Sequence, residues 1–274
     1  MTINCKGELI DLSEPKVMGI LNVTPNSFYD GGRYKTDKTI LDQAEKMLEQ
    51  GADFIDLGAY SSKPSAEFVS ETEEINRLVP TIDLLLKEFP DVLLSIDTFR
   101  ASVAKESILA GAAMINDIAG GMLDEKMIST VGELKVPYIM MHMRGNPQTM
   151  QMMTTYNDLV KEVLQYFSER IALAREAKIN DVIIDPGFGF AKTLEQNYDL
   201  MAKLELFNVF EIPILVGISR KSMIYKLIDA TAQEALNGTT VLNTIALQKG
   251  AKILRVHDVK EAVETRKILK QLAL

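Results

Sequence analysis

The chain has 274 residues, 47% apolar and 25% charged, the balance of a globular protein long enough to bury a large core without disulfide or metal staples. Thirty Lys and Arg against 38 Asp and Glu give a formal charge of −8, which argues against nucleic acid as a partner. A single cysteine, Cys5, excludes an internal disulfide, and two histidines argue against a conventional zinc cluster. The first 15 residues lack a signal-like apolar run, and no apolar stretch approaches the ~18 residues of a membrane span, so we expect no membrane and a cytoplasmic location.

Residues 3–12, turning at Lys6-Gly7, read as a short β-hairpin that plugs one end of the fold. Brief β-branched or apolar runs then recur at 17–23, 54–57, 92–96, 114–118, 138–141, 182–184, 214–218 and 253–256, giving eight candidate strands. The intervening segments carry helical periodicity, with Ile75, Leu78, Val79, Ile82, Leu85, Leu86 and Phe89 on one face of one helix. Leu159, Val160, Val163, Leu164, Phe167, Ile171 and Ala174 share a face of another. Ser70 and Glu73 form a predicted capping box. Gly51, Gly111 and Gly250 each stand two or three residues before a strand, where a left-handed glycine can end a helix. Strands that alternate with helices and read as continuous apolar runs make a parallel sheet covered by helices. Eight such units predict an α/β fold, a (β/α)8 TIM-type barrel with a short N-terminal β-hairpin, as one domain over residues 1–274. The competing open, doubly wound sheet would need a Gly-x-Gly-x-x-Gly turn after its first strand, and none is present.

Each apolar run ends in a polar residue: Asn22, Asp56, Asp97, Asn116 with Asp117, His142, Asp185, Ser219, and His257 with Asp258. In a barrel these converge on the rim where barrel enzymes place their sites. A single one, such as Asp56, could equally be a helix cap or a loop bond, and His142 a satisfied strand-end histidine. The first loop carries Phe28, Tyr29 and Asp30 before Gly31-Gly32, which suits a lid over a flat ligand. The second offers Ser62, Lys63 and Pro64. Arg220, Lys221, Arg255 and His257 follow the last two strands, where barrels often bind phosphate, and predict an anionic substrate group. A solvated helix start is the plainer reading of Arg220 and Lys221. Asp185-Pro186-Gly187-Phe188-Gly189-Phe190 sets a carboxylate, two glycines and an aromatic ring together, matching a flat heterocycle with several donors.

Six pieces of this chain, Asn22 to Gly32, Ser95 to Thr98, Ile115 to Gly121, Asp185 to Phe190, Ser219 to Ser222 and Arg255 to Asp258, resemble the dihydropteroate synthases along nearly the whole length. The resemblance implies condensation of 4-aminobenzoate with 6-hydroxymethyl-7,8-dihydropterin diphosphate, giving 7,8-dihydropteroate and diphosphate in folate biosynthesis. It further implies Mg2+ as cofactor, a homodimer and inhibition by sulfonamides. Carried over by position, Asp97, Asn116, Asp185 and Lys221 resemble the pterin-binding set, with Asn22 the metal and diphosphate ligand and Arg255 and His257 the remaining diphosphate contacts. Phe28, Pro64, Phe190 and Ser219 resemble the walls of the 4-aminobenzoate site, assisted by Asp30. Ser62, Lys63, Met140 and Arg220 complete the implied substrate contacts, and Asn22, Asp97, Lys221, Arg255 and His257 the implied catalytic set. Breaking the carbon–diphosphate bond builds negative charge on the leaving group and positive charge on the pterin methylene, so no covalent enzyme nucleophile is expected.

The chain departs from the family pattern at Lys63 and Ser65, where arginine and glycine are usual, and at Asn26, where aspartate is usual. Two other readings use the same residues: a methyl-tetrahydrofolate-binding methyltransferase barrel, and a non-catalytic pterin-binding module.

Overall fold

The computed structural model describes residues 1–23, 33–60 and 69–272, with the backbone alone for 33–36. The N-terminal hairpin pairs β1 (Thr2–Cys5) with β2 (Glu8–Asp11), and Lys6 and Gly7 turn it with φ of 56° and 88°. Positive φ at both central residues is the two-residue turn whose twist matches the strands it joins.

The barrel strands are β3 (Lys16–Asn22), β4 (Phe54–Gly58), β5 (Leu94–Asp97), β6 (Met114–Asp117), β7 (Tyr138–Met141), β8 (Val182–Asp185), β9 (Leu215–Val216) and β10 (Ile253–Val256). They pair in parallel in the order β8-β7-β6-β5-β4-β3-β10-β9, and one parallel bridge, Ile184 to Ile214, brings the two ends together. The predicted eight strands and the barrel are therefore observed. β9 is shorter than the predicted run 214–218, because Ile214 makes only that bridge and the ladder has ended before Gly217.

The outer layer comprises α1 (Arg33–Glu49), α2 (Glu71–Glu88), α3 (Ala101–Leu109), α4 (Met127–Leu134), α5 (Leu159–Glu176), α6 (Leu194–Ala202), α7 (Ser222–Tyr225), α8 (Leu236–Gln248) and α9 (Val259–Gln271). The predicted apolar faces point inward: Leu78, Ile82 and Leu85 of α2, and Leu159, Val160, Val163, Phe167, Ile171 and Ala174 of α5, are buried. Gly51, Gly111 and Gly250 all take left-handed φ at their helix-to-strand junctions. The capping box at α2 forms by half: Ser70 Oγ accepts the Glu73 N–H at 3.2 Å, whereas the Glu73 carboxylate accepts from Arg77 Nε at 2.8 Å. A charged donor one turn along outcompetes the N-cap amide for that carboxylate. The complete box is at α6, where Thr193 and Gln196 bond reciprocally.

Two apolar layers result from the strands' period of two. Val17, Ile55, Leu94, Ile115, Tyr138, Met140, Val182, Val216 and Leu254 face the helices. Met18, Phe54, Met114, Ile139, Ile183, Leu215 and Ile253 face the barrel axis and close over Ile3, Cys5 and Leu12 of the hairpin. The hairpin thus plugs the N-terminal end, and the opposite mouth is left for chemistry.

Candidate active site

Counting by twos from the plug-facing residues reaches polar side chains at the C-terminal end of nearly every strand: Asn22 from Met18, Asp56 from Phe54, Asn116 from Met114, Asp185 from Ile183, Arg255 and His257 from Ile253, and Ser219 from Leu215. Asp97 arrives by the same count from Leu93. Inward-facing polar groups at one end of a barrel have nowhere to go but toward one another or a ligand.

Arg255 is the hub. Its Nε donates to Asp56 Oδ2 at 2.6 Å and its Nη2 to Asp97 Oδ2 at 2.7 Å. Asn116 Nδ2 also donates to Asp56 Oδ2, at 3.1 Å, while Asp56 Oδ1 is buried without a hydrogen-bond partner. With buried Asp56 and part-buried Asp97 sharing one guanidinium, desolvation of Asp97, opposed by Arg255 and reinforced by Asp56, raises its pKa to about 7. Asp185 Oδ1 accepts the Gly187 N–H at 2.8 Å, and burial raises the Asp185 pKa against the pull of Lys221. Lys221 Nζ donates to Phe188 O at 2.6 Å and lies 4.6 Å from the Phe190 ring centroid. Burial lowers its pKa to about 8, with Asp185 opposing. This cluster holds three carboxylates, Asp56, Asp97 and Asp185, against two cations, Arg255 and Lys221, and so favours a donor-rich or positively polarised guest.

Beside it, Ser219 Oγ accepts the His257 backbone N–H at 3.1 Å and lies 3.2 Å from its Nδ1. The serine hydrogen is then free for Nδ1, which places the imidazole hydrogen on Nε2. His257 is open to solvent, and its surroundings, above all desolvation and then Arg255, hold its pKa below the usual histidine value. The neutral ring keeps one N–H to give to an anion. Asn22 is exposed at the end of β3, and a methyl group placed on Gly58 would lie 3.6 Å from both Asn22 Oδ1 and Asp97 Cβ.

Two sequence expectations change. Met140 is fully buried in the helix-facing layer, because the residues that share the axial face of β7 are Ile139 and Met141. Met141 packs with Phe190 in the apolar cluster at the mouth. Arg220, expected to face the substrate anion, gives Nε and Nη2 to Asp258 at 2.8 Å each and Nη1 to the Ala232 and Gln233 carbonyls at 2.9 and 2.5 Å. Four of its five donors are committed to the fold. Phe28, Asp30, Ser62, Lys63 and Pro64, with Asn26 and Ser65, lie outside the described residues.

Asp56 enters the site, and Lys192 lies behind its loop on the Gly187 and Phe190 carbonyls, neither having been singled out as a site residue. The period of two was signal enough for Asp56. Lys192 follows Gly189-Phe190-Ala191 in a loop, and nothing in its spacing marks it. His142 is a buried strand-end histidine, as the plainer reading had it, with its pKa lowered by burial and then by Lys192. A separate cavity of about 510 Å³ opens beside it, lined by Met143, Arg144, Tyr166 and Arg170 and by none of the mouth carboxylates.

A plugged parallel barrel whose mouth gathers carboxylates beside cations has the architecture of an enzyme acting on a small molecule. Residues 18–257 match the pterin binding enzyme family. The dihydropteroate synthase of Escherichia coli strain K12 is 42% identical over 271 residues, 98% of this chain and 95% of that one. That of Bacillus subtilis is 44% identical over 256 residues, 92% and 87% of the two chains. Among solved structures, Yersinia pestis dihydropteroate synthase with a sulfonamide drug superposes with a TM-score of 0.93 at 42% identity, covering 100% of this chain and 99% of that one. The Xanthomonas albilineans enzyme with 4-aminobenzoic acid gives 0.92 at 36%, covering 99% and 98%. The chain belongs to the dihydropteroate synthase family. The methyltransferase reading therefore falls away.

Proposed function

We propose that this barrel condenses 4-aminobenzoate with 6-hydroxymethyl-7,8-dihydropterin diphosphate, and that the Arg255-centred cluster holds the pterin. The observation that carries the reading is the imbalance of three carboxylates against two cations at Arg255, with Asp56 Oδ1 and the outer oxygens of Asp97 and Asp185 unclaimed by donors among the described residues. A pterin edge presents amino and ring N–H groups in one plane, and buried carboxylates are the acceptors that hold such an edge most strongly. Asn116 and Lys221 add an amide and a cation for the ring's acceptors.

The reaction breaks the bond between the pterin methylene carbon and the diphosphate oxygen, the electron pair leaving with diphosphate. The arylamine nitrogen then forms the new C–N bond and gives up a proton. Positive charge that develops on the pterin is stabilised by Asp56, Asp97 and Asp185, and the leaving group by the His257 N–H. Two of the five Arg255 donors are taken by its two carboxylates, so it serves the diphosphate through the remaining hydrogens on Nη1 and Nη2 and otherwise sets the aim of Asp56 and Asp97. The arylamine needs only to be held in line, which makes positioning a large part of catalysis.

Magnesium fits the donors present. Among the described residues no cluster of three or more His, Cys, Asp or Glu could cage a metal, and magnesium on a diphosphate takes one or two protein oxygens with waters and phosphate oxygens completing its shell. Asn22 Oδ1 is the oxygen we assign to it. When bound, the ion neutralises charge on the leaving diphosphate. Phe190 borders the 4-aminobenzoate subsite in this reading, and a homodimer is part of it. Among the described residues no helix is long and apolar enough to cross a membrane.

Magnesium-dependent diphosphate release on adding 4-aminobenzoate to the protein and pterin diphosphate tests the proposal. Absence of release with folded protein would refute it, and so would a pterin trapped covalently on the enzyme during turnover.

A further inference from the structure

Lys192 lies in the loop after β8, 5% exposed. Its Nζ is 2.9 Å from Gly187 O, 3.0 Å from Phe190 O and 3.0 Å from His142 Nδ1. An ammonium group has three hydrogens, and each finds one acceptor. His142 is held neutral by its burial and by the cations around it, so its Nδ1 lone pair is free to accept.

The carbonyls that Lys192 takes belong to the segment that carries the Asp185 carboxylate at one end and the Phe190 ring at the other. The same segment is tied from elsewhere. Lys221 Nζ takes Phe188 O at 2.6 Å, and Asn197 Oδ1 accepts the Gly189 N–H at 2.6 Å. Each residue from Gly187 to Phe190 therefore has one backbone atom bonded to a side chain outside the segment. Gly187 and Gly189, with φ of 72° and 82°, give the segment its shape but also the most backbone freedom to lose. The two lysines remove that freedom from opposite sides: Lys221 faces the ligand cradle, and Lys192 faces the buried side toward His142.

Asp185 has a restraint of its own, the 2.8 Å bond from Gly187 N. Asp185 is also paired with Met141 in the sheet, whereas Phe190 lies beyond the strand, held by its carbonyl bond to Lys192, a 3.1 Å backbone bond from its N–H to Gly187 O, the contact with Lys221 and packing in the apolar cluster with Met141. Loss of the Lys192 ammonium would leave Phe190 freer than Asp185. We propose that Lys192, seated on His142, is a positioning residue for the arylamine subsite, fixing the Phe190 wall through the Gly187 and Phe190 carbonyls. This rests on the reading in which Phe190 borders 4-aminobenzoate.

Lys192→Met keeps the length of the side chain and removes the donors. His142→Leu removes the third acceptor, and His142→Asn returns an oxygen near the position of Nδ1. Steady-state kinetics in both substrates, with calorimetric binding of pterin diphosphate, are measured for wild type and the three variants. The expected result for Lys192→Met is a KM for 4-aminobenzoate raised about 10-fold or more, with pterin affinity within about 3-fold of wild type. His142→Leu is expected to move the same constant in the same direction, and His142→Asn to restore it. Equal losses toward both substrates, or a lowered Tm with unchanged kinetic constants, would make Lys192 structural only and overturn the proposal. If Lys192→Met does not fold, the histidine pair decides, and identical kinetics for His142→Leu and His142→Asn overturn it. Wild type without 4-aminobenzoate-dependent turnover refutes the functional reading itself, whereas active wild type matched by all three variants refutes this inference alone.

Discussion

Asp185 and Arg255 meet across Gly217: a methyl group placed there would lie 3.9 Å from Asp185 Oδ2 and 3.8 Å from Arg255 Cβ. The acidic cradle and the cation that organises it thus share one mouth, and the residue between them is the smallest available. Glycine at this inward-facing position keeps the space between them open for a ligand. Gly217→Ala makes only ordinary contacts and should bind pterin nearly as wild type does, whereas Gly217→Leu should fill the cradle. Calorimetry should then show pterin binding lost with Tm close to that of wild type; intact binding to Gly217→Leu would place the pterin elsewhere.

Arg255 is the countercharge for two acids. Removing it as Arg255→Met strands Asp56 and Asp97, and breaking a buried ion pair in this way costs about 3–5 kcal/mol. Thermal unfolding should show that loss at neutral pH and a partial recovery as the pH falls below about 7, where the Asp97 carboxylate takes up a proton. The double variant Asp56→Asn with Arg255→Met should be more stable than Arg255→Met alone. Simple additivity of the two losses would contradict the shared-guanidinium arrangement.

The pH profile of pterin affinity follows from Asp97 and Lys221. Below about 7 the Asp97 carboxylate takes up a proton, because burial has raised its pKa, and it ceases to be a full acceptor. Above about 8 Lys221 loses the charge that burial already disfavours. Affinity measured across pH 5–10 should peak between these values, in contrast to the flat profile expected of unperturbed Asp and Lys over the same interval. Asp97→Asn should flatten the acid limb and leave the alkaline one.

Arg220 should behave as part of the scaffold. Arg220→Ala removes the two hydrogen bonds donated to Asp258 and those donated to the Ala232 and Gln233 carbonyls. We expect a Tm lower by a few degrees, on the order of 1–2 kcal/mol, with KM for pterin diphosphate within a few-fold of wild type. A KM rise of 30-fold or more at unchanged Tm would return Arg220 to the substrate.

The barrel was legible because its two signals are local. Continuous apolar runs mark strands buried on both faces, and Gly51, Gly111 and Gly250 mark where helices stop. The acidic half of the site was legible for the same reason: Asp97, Asn116 and Asp185 end strands whose lower residues face the hairpin plug. Parity along β7 would also have separated Met141 from Met140, and along β4 it would have promoted Asp56 from a helix cap to a member of the cradle. The bonding of the cations was not legible. Whether Arg220 or Arg255 meets a ligand depends on carboxylates 38 residues away at Asp258 and 199 residues away at Asp56. Lys192 was invisible because two of its acceptors are backbone carbonyls, which leave no mark in the sequence, and the third, His142, is 50 residues away and reaches it through the pairing of β7 with β8.

The most direct measurement of the central claim is calorimetric titration of pterin diphosphate, with magnesium, into Asp185→Asn. The substitution keeps the shape of the side chain and an oxygen for the Gly187 N–H but removes the charged acceptor. Loss of charge-assisted hydrogen bonds to a donor edge corresponds to roughly 3 kcal/mol, so affinity should fall on the order of 100-fold while Tm stays close to wild type. Wild-type affinity in this variant would contradict the assignment of the carboxylate cluster as the pterin cradle.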